Sequence, residues 1–321
     1  MVSVIDGRKT TDEDLTGAVT GRKAGIVHLT HNDLDAAGAD AIHRMKYGTI
    51  TTIFSSVGRY SAIFALIATL PGKGDILSIS DLGYQSAIEE TVKAAAENGW
   101  RIEWRDHHRW TDAEADGVRP HCALLHIDTS VCATAVAARD LMPGDAKAEK
   151  VARLVCDYDL WKKEDPQADV LGQVTQRRQH LTYVRNLLAQ GKVTDRRVEG
   201  IYAEIRAGMD ADIGASIRQA KIYGKKYRIA FAPLHGYPSE TAHAIRDAMK
   251  TDIEVIVSGN GRFSIRSVPP VSHLIARHYG GGGHPNAAGG TFSFNLIDRF
   301  LFWLLKRNRH FNDLARIAET I

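Results

Sequence analysis

Cysteine is scarce in this chain: Cys122, Cys132 and Cys156 are the three among 321 residues. Their number is odd and no Cys-x-x-Cys spacing occurs, which excludes a disulfide-built scaffold and fits a reducing cytoplasm. Long apolar runs are missing too. Even the stretch 296–305 is broken by Asp298 and Arg299, so nothing reaches transmembrane length. Lys and Arg number 41 against 38 acidic residues, for a net charge of +3, and they form no extended basic track. That argues against a broad nucleic-acid surface while leaving room for a small anionic substrate. No repeat of fixed period is visible. The first residues lack the apolar core of a secretion signal, and 1–23 read as a loosely held leader. The expectation is a cytoplasmic protein that does not engage a membrane.

What is present is a rhythm. Stretches 24–30, 51–55, 74–80, 100–105 and 123–127 have the length and composition of short strands, with helical patterns between them. Such alternation predicts an α/β fold in which helices cover a parallel sheet. The length calls for two domains. We place a larger parallel-sheet domain at 1–188, a helical connector at 189–223 and a smaller α/β domain at 224–321. The connector belongs to a region of charged helices that Gly191, Gly200, Gly208 and Gly214 are expected to break. The aromatic-basic segment 300–311 reads as an amphipathic packing helix.

Parallel sheets gather ligands at the carboxyl ends of their strands. His31, Asp33 and Asp35 follow the first strand, Asp81 the third, and Asp106-His107-His108 the fourth. Asp157 and Asp159 follow another apolar stretch. Asp33 and Asp35, two residues apart, can face the same way and reach neighbouring ions. A helix N-terminus would also favour Asp35, and Asp81 alone is an ordinary turn residue. Taken together, these carboxylates and imidazoles suit Mn²⁺ or Mg²⁺ better than the thiolate set of a structural zinc site. Two ions about 3.5–4 Å apart, sharing a carboxylate, could generate hydroxide and stabilise charge on a phosphoryl group.

A second signal lies in Gly280-Gly281-Gly282-Gly283-His284-Pro285-Asn286-Ala287-Ala288-Gly289-Gly290. Backbone N–H groups without Cβ atoms can close on an anion, and no Gly-Lys-Ser/Thr follows to make it a Walker loop. A flexible hinge is the alternative. Arg266, at the end of a predicted strand, could add a charged partner for phosphate or be simply solvated.

In order, His31-Asn32-Asp33-Leu34-Asp35, Asp81, Asp106-His107-His108, Asp157-Tyr158-Asp159-Leu160-Trp161 and Gly281-Gly282-Gly283-His284…Ala287-Ala288-Gly289 resemble the motifs of the DHH/DHHA1 phosphoesterase family. The resemblance covers about residues 24–294. It implies a DHH domain with two Mn²⁺ ions, Mg²⁺ or Co²⁺ being substitutes, and a DHHA1 domain that grips the nucleotide. His31, Asp33, Asp35, Asp81, His107 and one of Asp157 and Asp159 would be metal ligands. His108, with Asp106, would act in catalysis or positioning, and Arg266, Gly281, Gly282, Gly283 and His284 would hold substrate. Ala36 stands where the first motif usually has glycine, which changes the turn without removing a ligand. The implied activity is manganese-dependent hydrolysis of nanoRNA or dinucleotide phosphodiesters, with pAp as a further substrate. A RecJ-type single-strand exonuclease and a nucleotide sensor without turnover are the alternatives. The implied partner is a short oligonucleotide or dinucleotide, with no stable complex on long strands; a homodimer is compatible.

Overall fold

Val4–Ile5 (β1) and Arg8–Lys9 (β2) pair antiparallel on the edge of a seven-stranded sheet. The apolar stretches supply the rest: β3 (Ile26–Thr30), β4 (Thr51–Phe54), β5 (Ile76–Ser80), β6 (Arg101–Asp106) and β7 (Leu124–Ile127). The order is β2-β1-β4-β3-β5-β6-β7, and every pairing from β4 to β7 is parallel. The chain is a computed structural model describing residues 4–5 and 8–321, and it divides into units 1–203 and 204–321. The leader expected at 1–23 lies partly outside the described residues. Within them, Asp12–Thr20 is a capped helix that buries Leu15 and Val19, so this part is held rather than loose.

Helices of the first unit are α1 (Asp12–Thr20), α2 (Leu34–Tyr47), α3 (Tyr60–Ala68), α4 (Ile88–Glu97), α5 (Asp112–Val118), α6 (Ala133–Leu141), α7 (Ala146–Asp159), α8 (Pro166–Gln176) and α9 (Leu181–Ala189). All five residues of β3 are buried, as a strand covered on both faces requires. Small residues let α2 come close to its neighbours: a Cβ on Gly38 would lie 2.4 Å from Thr134 Oγ1 and 2.9 Å from Val155 Cγ2. Beneath the strand ends, His28 and His43 stack at 4.1 Å. His28 bonds Asp40 at 2.7 Å and Ser80 at 2.8 Å, and Arg185 of α9 donates to Asp40 at 2.7 Å. A buried charge network therefore ties α2, α9 and the sheet together.

Helix α10 (Arg196–Gln219) carries the boundary between the units. It runs unbroken through Gly200, Gly208 and Gly214, contrary to the expected breaks, because an interior glycine costs a helix only about 1 kcal/mol. The second unit contains β8 (Lys221–Tyr223), β9 (Ile229–Pro233), α11 (Pro238–Met249), β10 (Ile253–Val257), β11 (Arg262–Ser267), α12 (Ser272–Arg277), β12 (Gly282–His284), β13 (Ala287–Thr291), α13 (Leu296–Leu305) and α14 (Arg309–Thr320). Its sheet has the order β12-β13-β11-β10-β9-β8, with β9 and β10 the parallel pair. Phe231 stacks on Phe311 at 4.3 Å and Phe263 on Phe292 at 4.5 Å, which makes its core aromatic.

Two further expectations change. The segment 300–311 is not one packing helix: the chain turns at Lys306, with φ 52°, and restarts at the Asn308 cap. Helix α14 packs, burying Phe311, Leu314, Ala315 and Ala318, whereas α13 buries Phe302 and Asp298 and leaves its other apolar side chains out. Cys132 and Cys156 form a disulfide between the start of α6 and α7. Few cysteines therefore do not mean no cross-link.

Candidate metal centre

The parallel sheet delivers its acidic and imidazole side chains to one edge. His31 and Asp33 follow β3, Asp35 lies in the first turn of α2, Asp81 follows β5, and His107 and His108 follow β6. Asp159 ends α7 and enters the same group. Three overlapping sets each bring ligand atoms within 4.8 Å of one another: His31, Asp33 and Asp81; Asp81, His107 and His108; and Asp35, His107 and Asp159. His31 Nδ1 lies 2.7 Å from Asp33 Oδ2 and 3.6 Å from Asp81 Oδ2. His107 Nε2 lies 3.3 Å from Asp81 Oδ1 and 3.7 Å from Asp35 Oδ2, while its Nδ1 is 3.7 Å from Asp159 Oδ2.

These groups do not titrate independently. Burial, then the neighbouring Asp81, Asp159 and Asp33, drive the Asp35 carboxyl well above its ordinary range. Burial and Asp33 push Asp81 up to about 6, and burial raises Asp159. Burial would lower the imidazoles, but the bond to Asp33 and the nearby Asp81 carboxylate take His31 to about 10, and Asp81 and Asp35 take His107 to about 9. Asp33 also feels enclosure, yet His31 and the Ala36 N–H hold it low. Four crowded carboxylates with two imidazolium ions among them form a site that asks for cations. Asp81 Oδ2 supplies the test of fit: it is buried and has no hydrogen-bond partner. A carboxylate oxygen in that state, beside imidazoles, fits a divalent ion.

Not every expected ligand reaches the group. Asp157 accepts from Glu164 N at 2.8 Å and Asp165 N at 3.3 Å, and so fastens the turn that follows α7. Asp106 is fully buried and accepts from His108 Nδ1 and Trp110 Nε1, both at 2.8 Å. It orients His108 rather than offering a free oxygen. His108 itself is 46% exposed, and the Asp106 bond raises its pKa.

Two supporting groups escaped the sequence. Ala133 N (2.7 Å), Thr134 N (2.8 Å) and Thr134 Oγ1 (2.6 Å) donate to the Asp35 carboxylate from the start of α6. Trp110 was the other, and its nearness to Asp106-His107-His108 was the one available signal. Ala36 is buried in the first turn of α2 and donates to Asp33 Oδ1 at 3.0 Å, so alanine serves this helical position.

In the second unit the glycine run is mostly strand rather than loop, pairing as β12 with β13 at the sheet edge. Register places Arg266, Ala287 and His284 in one cross-strand row, on one face. Arg266 donates to Ser239 Oγ at 2.8 Å, and His284 is exposed. A Cβ on Gly281 would meet Gly289 O at 1.9 Å and one on Gly283 would meet Ala287 O at 2.6 Å, whereas Gly282 opens onto free space.

No protein-family model matches the chain. It is similar to oligoribonuclease NrnB of Bacillus subtilis, at 23% identity over 305 residues, covering 86% of this chain and 75% of that protein. The solved pGpG-specific phosphodiesterase PggH of Vibrio cholerae matches with a TM-score of 0.58 at 12% identity, over 88% of this chain and 98% of that one. Exonuclease RecJ bound to manganese matches with a TM-score of 0.56 at 14% identity, over 97% and 95%. The solved structures establish the fold, and the curated relative adds sequence similarity along most of the chain. The likeness in sequence and in fold agrees with the resemblance to the DHH/DHHA1 phosphoesterases that the motifs carry.

Proposed function

We propose that the chain hydrolyses phosphodiesters of very short nucleotides, nanoRNA or linear and cyclic dinucleotides, with two Mn²⁺ ions; pAp is an additional substrate. The observation that carries this reading is the crowding of Asp33, Asp35, Asp81 and Asp159 around His31 and His107, with Asp81 Oδ2 left unbonded. His31, Asp33 and Asp81 would hold one ion and Asp35, His107 and Asp159 the other, with Asp81 the carboxylate they share. Bound there, the ions would polarise a phosphoryl oxygen and lower the pKa of the attacking water.

The remaining steps belong to side chains. Asp106 holds Nδ1 of His108, which leaves Nε2 to offer a proton to the departing oxygen. Arg266, Gly281, Gly282, Gly283 and His284 are our substrate-binding set, with the guanidinium on phosphate. The domain boundaries we favour remain 1–188, 189–223 and 224–321. The names oligoribonuclease and pGpG-specific phosphodiesterase support a short substrate, whereas likeness to RecJ favours the rival single-strand exonuclease.

The test is a panel of labelled RNAs and DNAs of two to ten nucleotides with pAp, pApA and cyclic dinucleotides, assayed with Mn²⁺, Mg²⁺, Co²⁺ or EDTA. We expect Mn²⁺-dependent release of mononucleotides from the shortest RNAs or dinucleotides. Faster attack on long DNA selects the exonuclease. Nucleotide binding without turnover under every metal leaves a sensor.

A further inference from the structure

Helix α13 displays Leu296, Ile297, Phe300, Leu301, Trp303, Leu304 and Leu305 to solvent, each between 38% and 83% exposed. At 3.6 residues per turn they cover a continuous arc of about 200°, and Asp298, Arg299 and Phe302 fill the remainder. At roughly 150–250 Å² for a large side chain, this face presents roughly 800 Å² of apolar surface. The largest patch on an ordinary monomer is about 300–600 Å², and one side of a stable protein interface is about 800 Å². We infer that α13 is a self-association surface, covered by α13 of a second copy of this chain running antiparallel across a two-fold axis.

Charge favours a second copy over a lipid surface. An in-plane membrane helix carries its cations along the flanks of the apolar arc. Here Lys306, Arg307 and Arg309 sit beyond the C-terminal end, with Arg299 alone on the flank. Asp298, the one acid of α13, is buried and pairs with Arg309 at 3.2 Å. Ten residues of helix span about 15 Å. Antiparallel pairing therefore holds the two cationic ends apart by more than the Debye length of about 8 Å at physiological salt. Parallel pairing would bring them together.

Light scattering on the full chain should report twice the 35.3 kDa of one copy. The double variant Phe300→Glu/Trp303→Glu, altered at exposed positions, should report one copy with an unchanged melting profile. A wild-type monomer overturns the inference, including one that sediments with vesicles of anionic lipid; so does a variant that stays dimeric. Cross-linking supplies a second readout that needs no disruptive change. The two-fold places the middle of α13 against itself, so Leu301→Cys should yield a covalent dimer with diamide, which takes up the two hydrogens as two thiols become a disulfide. Leu296→Cys and the unsubstituted chain should yield at least tenfold less. Equal cross-linking at both positions, or none, rejects the antiparallel pair.

Discussion

Asp81 is placed between two imidazoles with one oxygen unsatisfied, and this makes it the most informative single residue. Asp81→Ala should empty the site of Mn²⁺ and lower activity by more than about 100-fold, beyond what loss of a supporting group around a metal costs. Metal-free, the variant should be no less stable than the parent, since one of four crowded carboxylates is gone; full metal occupancy by elemental analysis would reject the assignment. A pH dependence follows from the imidazoles. Without metal, His31 holds its proton to about 10 and His107 to about 9, so at neutral pH a metal must displace both. Mn²⁺ affinity measured by titration calorimetry should therefore climb between pH 7 and 9, and a flat profile would contradict the ligand set. The sign for the metal-free fold is opposite: stabilisation from these two groups is complete below about 6.5 and fades as pH rises through 9 to 10. The sequence exposed these residues because each follows an apolar run. It could not separate Asp157 from Asp159, since the choice depends on Glu164 and Asp165 N–H groups reaching back to Asp157. Nor could it show Thr134 gripping Asp35, 99 residues away in the chain.

Close packing of α2 on α6 is what carries Asp35 to those amides, and Gly38 permits it. Glycine to alanine within an exposed helix gains about 1 kcal/mol. Gly17 of α1, with nothing within 4 Å of a Cβ, should follow that rule on substitution by alanine. Gly38→Ala should do the reverse and cost about 1–3 kcal/mol as an overpacked site. Thr134 Oγ1, 2.4 Å from the new Cβ, is already committed to Asp35 and cannot yield cheaply. Paired thermal melts test both signs, and metal affinity should fall with Gly38→Ala alone. The glycines of β12 divide in the same manner. Gly281 and Gly283 are required by their neighbours' backbones, whereas Gly282 is not, since the space a side chain would take there is free. His284→Ala, on the same strand, should retain Mn²⁺ and lose roughly tenfold or more on nucleotides, with little change on a small generic ester. Equal losses on both would move His284 into the chemical step. Among the elements, the inner strands of the parallel sheet such as β3 were the most legible, because burial on both faces writes an apolar run; the glycines of β12 carried no such signal. The path of α10 was not legible, because three glycines at about 1 kcal/mol each weaken a helix without ending it.

For the whole molecule, the modest net charge of +3 bears on substrate length. Each phosphate neutralised on a single strand adds about 0.7 to the slope of log affinity against log salt. Without a basic track, strands beyond about five nucleotides gain few new contacts, so kcat/KM should peak at two to about five nucleotides and vary little with salt. A steep slope with faster decay of strands tens of nucleotides long would instead favour a RecJ-type enzyme. The disulfide was hidden because an odd count of cysteines with no Cys-x-x-Cys spacing gives no sign of a pair 24 residues apart. Cys132 begins the helix whose amides hold Asp35, and Cys156 lies one turn before Asp159, so the bond joins the mounts of two proposed ligands. Closing a separation of 24 residues restricts the unfolded chain by about 3–4 kcal/mol on the entropy model. No thiol enters the proposed chemistry, yet the reducing agent in the buffer would become a hidden variable of metal loading: dithiothreitol slackens what air tightens.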